Sequence, residues 1–461
     1  MRITRPAAYG VALALFLASR VYLLLAFTPD QSDMYLYVQY AWEDEIARAE
    51  HRPLYPFHTE QWVRAQAHAV ATGAPPPMAE TRSIEYPPLA LQSVLLPKRF
   101  VPPPVQVTWG RHDWPLVGYI GGYDHAFRSF MAVFDALAFV LLLVLVPRFF
   151  PQEATAHHLE RWVTYVGAGH VLGHLLYDRL SLPPGAFLLG AVGLLAAARA
   201  PAVLGLTLFA AAVNYQLSPL VLLPLVVLGA MRVPALQGRP ITLIREALAP
   251  ALVATAAIVA LFLPFYVQEG PESIAFLRYH GQRGLQLESI AATVPLLLSF
   301  AGHTVKVVGE FGAWHLHSSL TPILAASSPL LILVLVSGVT LLFLRAVRGQ
   351  PPLPEERVAV VQAPLFAGAV IASLAVAIVG SKVFSPQYLL WMMPIVPLAP
   401  ARRLLPLFLA VAAVTTAIFP YAYDNVAALT TGGTWLLAGR NLLFLVFAGV
   451  AVSSLWGRRA A

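Results

Sequence analysis

The sequence predicts an all-α polytopic membrane protein of about twelve transmembrane helices, with one large polar loop near its start. Three observations carry this. Of 461 residues, 58% are hydrophobic and only 11% charged, at a mean hydropathy of +0.69, whereas a soluble domain carries about 25% charged residues. Apolar runs on the scale of a ~20-residue crossing recur through most of the chain. The arginines recur in alternate short loops, as the positive-inside trend requires.

Taken in order, residues 1–27 open with Arg2 and Arg5 and stay apolar to Phe27. The run is longer than a signal-peptide core and ends in Thr28-Pro29-Asp30 without a small-residue cleavage pattern, so it reads as a retained first helix, N-terminus inside. Arg20 interrupts it about two turns from the outer end. Either it snorkels to the interface or it faces inward and meets an anionic lipid headgroup.

Residues 28–125 form a long outer loop or cap. It contains Thr28-Pro-Asp-Gln-Ser-Asp33-Met-Tyr35-Leu-Tyr37, then two amphipathic surface helices begun by Trp42-Glu-Asp-Glu-Ile and Trp62-Val-Arg-Ala. Gly73-Ala-Pro-Pro-Pro is a breaker. Glu85-Tyr86-Pro87-Pro88-Leu89 leads into an apolar run too short to span, and Val101–Pro104 and Gly121-Gly122 are further loop.

Residues 126–461 read as a helical bundle. Crossings are expected near 126–147, 161–177, 183–199, 201–214, 218–231, 247–267, 322–344, 358–380, 387–400, 404–420 and 434–456. Arg148, Arg161, Arg199, Arg232, Arg239 and Arg245 fall on one side, as do the later pairs Arg345/Arg348, Arg402/Arg403 and Arg458/Arg459. The opposite loops carry few cations, chiefly Arg179, Arg278, Arg283, Lys306 and Lys382. This places both termini in the cytoplasm and the long loop outside. No inverted repeat is visible.

Composition excludes several functions. A net charge of +7 does not imply a nucleic-acid partner, because the arginines sit where topology puts them. With no cysteine there is neither a disulfide nor thiolate chemistry. Two outer loops, 268–320 and 381–387, do carry chemistry. The first holds Tyr279-His280-Gly-Gln-Arg283…Glu288-Ser289 and a broken apolar stretch to Gly302 that suits a re-entrant segment. The second reads Ser381-Lys382-Val-Phe-Ser385-Pro386-Gln387-Tyr388-Leu-Leu-Trp391. Outer cations run against the topological trend, which marks His280, Arg283 and Lys382 as functional candidates. Tyr388 and Trp391 also suit plain interfacial anchors.

In this order, an Asp-x-Tyr after the first helix, Tyr-Pro-Pro-Leu, Tyr-His-x-x-Arg…Glu-Ser and Lys-x-x-Ser-Pro-Gln-Tyr-x-x-Trp resemble the GT-C superfamily of polytopic glycosyltransferases. The closer resemblance is to glycosyltransferase family 87 and to polyprenol-phosphate-mannose-dependent mannosyltransferases, over almost the whole chain. The resemblance implies a polyprenyl-phosphate-sugar donor and a glycolipid, glycan or protein acceptor, met on the extracytoplasmic side of the cell membrane among membrane lipids. It implies Asp33 as general base of an inverting transfer, with Arg283, His280 and Lys382 near the lipid phosphate. Gln387, Tyr388, Glu288, Arg20, Tyr35, Glu85 and Tyr86 complete the implied substrate-binding set. Many relatives carry two adjacent acidic residues where this chain has Ser32-Asp33. A second carboxylate would then come from Glu43, Asp44 or Glu85, and no metal or other cofactor is expected. The alternative is a transporter or flippase of lipid-linked or small polar substrates, which broken helices and intramembrane charges suit. The large one-sided cap and the lack of repeats weigh against it.

Overall fold

The computed structural model describes residues 4–26, 33–72, 84–101, 117–238, 240–349 and 356–456. The chain is an all-α, multi-pass membrane protein, with one β-hairpin added. Among the described residues, seven helices are long and apolar enough to cross a bilayer: Arg5–Leu25, Gly122–Phe149, Ile241–Glu269, Thr321–Arg348, Ala363–Gly380, Leu404–Ala427 and Thr431–Trp456.

Those seven coincide with seven of the twelve expected crossings. The remaining five expected crossings form shorter elements. Thr155–Val171 has 17 residues, while Leu182–Leu195 and Ala202–Tyr215 have 14 each. Fourteen helical residues rise about 21 Å, against roughly 30 Å of hydrocarbon. Apart from Thr155–Val171, proline sets these lengths. Pro183 and Pro184 lie in the first turn of Leu182–Leu195, Pro201 caps Ala202–Tyr215, and Pro219 and Pro224 divide 218–230. The 387–400 segment breaks into the turns Pro386–Tyr388, Leu389–Met392 and Val396–Leu398. A ring without an N–H starts a helix well and continues one badly.

The cap is helical where it is described: Met34–Ala49, Leu54–Thr72 and Pro88–Leu95. Gly121 and Gly122, expected in a loop, lie within the helix Val117–Phe149. The Thr28–Ser32 half of the first polar segment, the Gly73 breaker and Pro102–Pro104 lie outside the described residues. The expected helix at Trp42 lies within Met34–Ala49, with Glu45 and Arg48 exposed and the acids Glu43 and Asp44 turned inward. Glu43 is fully buried, held by His58 at 2.6 Å and Gln39 at 2.9 Å. Asp44 meets Lys98 at 2.5 Å and Arg48 at 2.8 Å. Both acids are consumed in tying the cap together.

One end of the bundle is knitted by arginine. Arg161 donates to the carbonyls of Pro397 and Ala399, each at 2.8 Å. Arg357 reaches Ala197 and Ala200, and Arg348 reaches Leu236 at 2.7 Å. The opposite end gathers the cap, the 270–320 region and the loop at 381–388. There, β1 (Lys306–Glu310) and β2 (Ala313–His317) pair antiparallel around Phe311-Gly312. Phe311 has φ 50 and Gly312 φ 65, the left-handed pair that a two-residue type I′ hairpin needs. The expected re-entrant stretch forms only the seven-residue helix Thr293–Ser299.

Candidate active site

At the cap end lies a cavity of about 910 Å³, within the usual range for ligand pockets. Nine of the eleven candidate residues face it. Asp33 and Tyr35 come from the start of the Met34–Ala49 helix, and Glu85 and Tyr86 from the turn before Pro88–Leu95. His280 lies in the last turn of the Ala275–Gln282 helix, Arg283 and Glu288 follow it, and Gln387 and Tyr388 come from the Pro386 turn. The tip of the hairpin, Phe311 and Gly312, closes one side.

Each side chain is held by its element. Tyr55 donates to the carbonyl of Tyr86 at 3.0 Å, and its own N–H donates to Glu269 at 3.2 Å, fixing the Glu85-Tyr86 turn against a membrane helix. Residues 285–287 lie between β2 and the 382–384 segment. Leu316 N–H donates to Leu285, Leu287 N–H to Trp314, and Gln286 N–H to Lys382, all at 2.8–2.9 Å. The sequence separation between these partners is what the four motifs could not reveal.

Asp33 forms an ion pair with Arg179, whose side chain is 6% exposed while that of Asp33 is 30% exposed. Arg179 was visible in the sequence only as one of the sparse outer cations. Glu85 is pushed up, chiefly by burial, with Arg283 opposing. The Tyr279 hydroxyl donates to Phe311 O at 2.8 Å and also contacts Glu85. His280 hydrogen-bonds the Glu85 main chain. The low-dielectric walls, and then the Arg283 cation, pull its imidazole down to about 4, so it is neutral at physiological pH. The buried Nε of Arg283 has no hydrogen-bond partner among the described residues.

A second group lies deeper. Glu288, 1% exposed, is pushed up to about 7, mainly by burial, with Arg440 opposing. Its Oε2 accepts from Gln286 Nε2 at 2.9 Å and from the Tyr423 hydroxyl at 3.2 Å. Neither Gln286 nor Tyr423 stood out in the sequence. Gln286 sits between the more conspicuous Arg283 and Glu288, and Tyr423 among Tyr421 and Asp424-Asn425, so neither carries a signature of its own.

The chain matches no family model, no curated protein and no solved structure. Its chemistry therefore has to be argued from the cavity itself.

Two candidates lie elsewhere. Lys382 does not line the cavity; its Nζ donates to Gly281 O at 2.9 Å, just behind Arg283. Arg20 neither snorkels nor meets a headgroup. It makes a buried bidentate pair with Asp135 at 2.7 and 3.3 Å and donates to Val166 O at 2.9 Å. Asp135 also accepts from Tyr165 and Tyr177, each at 2.6 Å. The site thus offers an Asp–Arg pair at the mouth, a buried arginine among tyrosines, and two carboxyl groups with raised proton affinity. Anion binding and proton acceptance are both within its reach.

Proposed function

We propose that this protein is an inverting glycosyltransferase that moves a sugar from a polyprenyl-phosphate donor to an acceptor on the extracytoplasmic side. Mannose is the first donor sugar to test. The observation that carries the reading is the meeting of Asp33, Arg179, Arg283 and Glu85 in one cavity, from segments up to about 250 residues apart, at the rim of a membrane bundle. A phosphate-linked donor needs fixed positive charge where the leaving group develops, and an acceptor hydroxyl needs a carboxylate to take its proton.

In this reading the acceptor oxygen attacks the anomeric carbon while Asp33 removes its proton. The bond from that carbon to the phosphate oxygen breaks, the phosphate leaves with the electron pair, and Arg283 balances its charge with an unbonded Nε. Lys382 adds positive potential from behind Gly281. We further propose that the shorter helices complete about twelve crossings, both termini lying in the cytoplasm.

The test is transfer of radiolabelled sugar from polyprenyl phosphate by the purified full chain, with mass spectrometry of the product. Movement of intact lipid-linked sugar across a vesicle without any transfer would select the flippase reading instead.

A further inference from the structure

Glu288 holds an unusual position for a buried acid. Its Oε2 has two donors, while its Oε1 is buried at the cavity wall with no partner among the described residues. An unsatisfied buried acceptor costs free energy, and a ligand donor would recover it. The group is also rigidly presented. Arg440 donates to the Glu288 carbonyl at 2.8 Å, and Asn441 to the Ser289 carbonyl at 3.2 Å, clamping the backbone. Phe384 N–H donates to Gln286 Oε1 at 2.9 Å, which fixes the amide so that its NH2 faces Glu288 and Ser385.

The surroundings select the donor. Arg440, lying over the Phe384 ring at 4.0 Å, and Arg283 both act electrostatically on Glu288, which disfavours a cationic ligand. The carboxylate itself disfavours an anion. Among the described residues, no group of three His, Cys, Asp or Glu side chains could hold a metal. A neutral O–H remains. Apolar faces in the same cavity, Trp314, Tyr388 and Phe419, suit the C–H faces of a pyranose ring.

We infer that Glu288, oriented by Gln286 and Tyr423, is the subsite that recognises a hydroxyl of the donor's sugar, deep to the Arg283 anion position. This rests on the reading above that the cavity takes a phosphate-linked sugar.

The test compares polyprenyl phosphate with mannosyl polyprenyl phosphate, titrated against the full chain in nanodiscs. Wild type should bind the mannosyl lipid about ten- to a hundred-fold more tightly, as a hydrogen bond to a charged group allows. Glu288→Gln keeps the shape, but Gln286 and Tyr423 hold its amide oxygen, so its NH2 replaces the acceptor at Oε1. That variant should bind the bare lipid like wild type, which also reports its folding, and lose most of the sugar-dependent gain. Tyr423→Phe, which frees the orientation of the carboxylate, should lose part of it. Equal binding of both lipids by wild type would overturn the subsite and leave the donor reading standing. Equal weakening of both lipids by Glu288→Gln would overturn it too, assigning Glu288 to general electrostatics. Binding of neither lipid by wild type would end both readings.

Discussion

A carboxylate at a helix start usually caps the helix, yet Asp33 makes no side-chain cap hydrogen bond to Met34–Ala49 and turns instead to Arg179. That separates the two roles it could have. As general base it is worth roughly 100- to 10,000-fold, so Asp33→Asn should lose transfer by that factor while donor binding holds. If it only supports the loop, Asn serves nearly as well and transfer stays close to wild type. Measuring transfer rate and donor affinity side by side decides. Arg283→Ala should act differently, weakening donor affinity by about one to two decades through one lost charge-assisted contact. Glu288 gives a pH prediction. Its carboxyl ionises near 7 when folded, against 4.5 for an ordinary glutamate. The folded state therefore keeps a proton that the unfolded chain has lost, and this group's contribution to stability falls as pH rises from about 4.5 to about 7. Thermal melts of wild type and Glu288→Gln should diverge in favour of the variant over that window. A constant offset would show that the carboxyl does not titrate there. Charge and motif made Asp33, Arg283 and Glu288 legible in the sequence. Arg179 and Tyr423 were not, because partners 146 and 135 residues away leave no mark on the residues beside them.

At the scale of elements, the long apolar helices were legible because each is a continuous run. The shorter ones were legible as apolar runs, but hydropathy counts apolar residues and does not feel the proline that breaks a run into turns, as at 218–230 and 387–400. The hairpin went unseen since Phe311-Gly312 lacks the usual Asn-Gly signal. Arg20 was misplaced for a related reason: its partner Asp135 sits in a helix that the sequence shows only as greasy. That pair joins the Arg5–Leu25, Gly122–Phe149 and Thr155–Val171 helices, and both side chains are almost wholly buried. Removing one member strands the other, which costs about 3–5 kcal/mol. Arg20→Ala should therefore lower the melting temperature sharply rather than alter substrate affinity. Gly169→Ala should do likewise, since a Cβ there would meet Arg20 Nη2 at 2.3 Å. Retained stability in both variants would remove this pair from the scaffold.

For the whole molecule, the two ends differ in kind. The cavity, the cap and the hairpin share one end, while 197–200, 232–236 and the arginines Arg348 and Arg357 share the other, where Arg232 and Arg357 also bridge. The proposed sidedness then predicts that a cysteine placed at Glu60 is labelled by an impermeant reagent in intact cells, and one at Arg232 only after permeabilisation. Labelling of both in intact cells would refute the topology. The native chain has no cysteine to confuse the result.

The arginine-to-carbonyl bonds of that far end have a mechanical consequence. Arg161, Arg348 and Arg357 each stitch one element to the backbone of another, whereas Asp33 and Arg179 at the mouth pair side chain to side chain. Elastic compliance is thereby sorted along the membrane normal, with a stiff floor beneath a yielding rim. Whatever breathing admits a bulky lipid should be confined to the rim. Deuterium should enter the amides of 281–284 and of the hairpin turn at 311–312, which lie outside the clamped 285–289 backbone, well before those of 197–200 and 398–404, and the gap should narrow when a ligand fills the cavity.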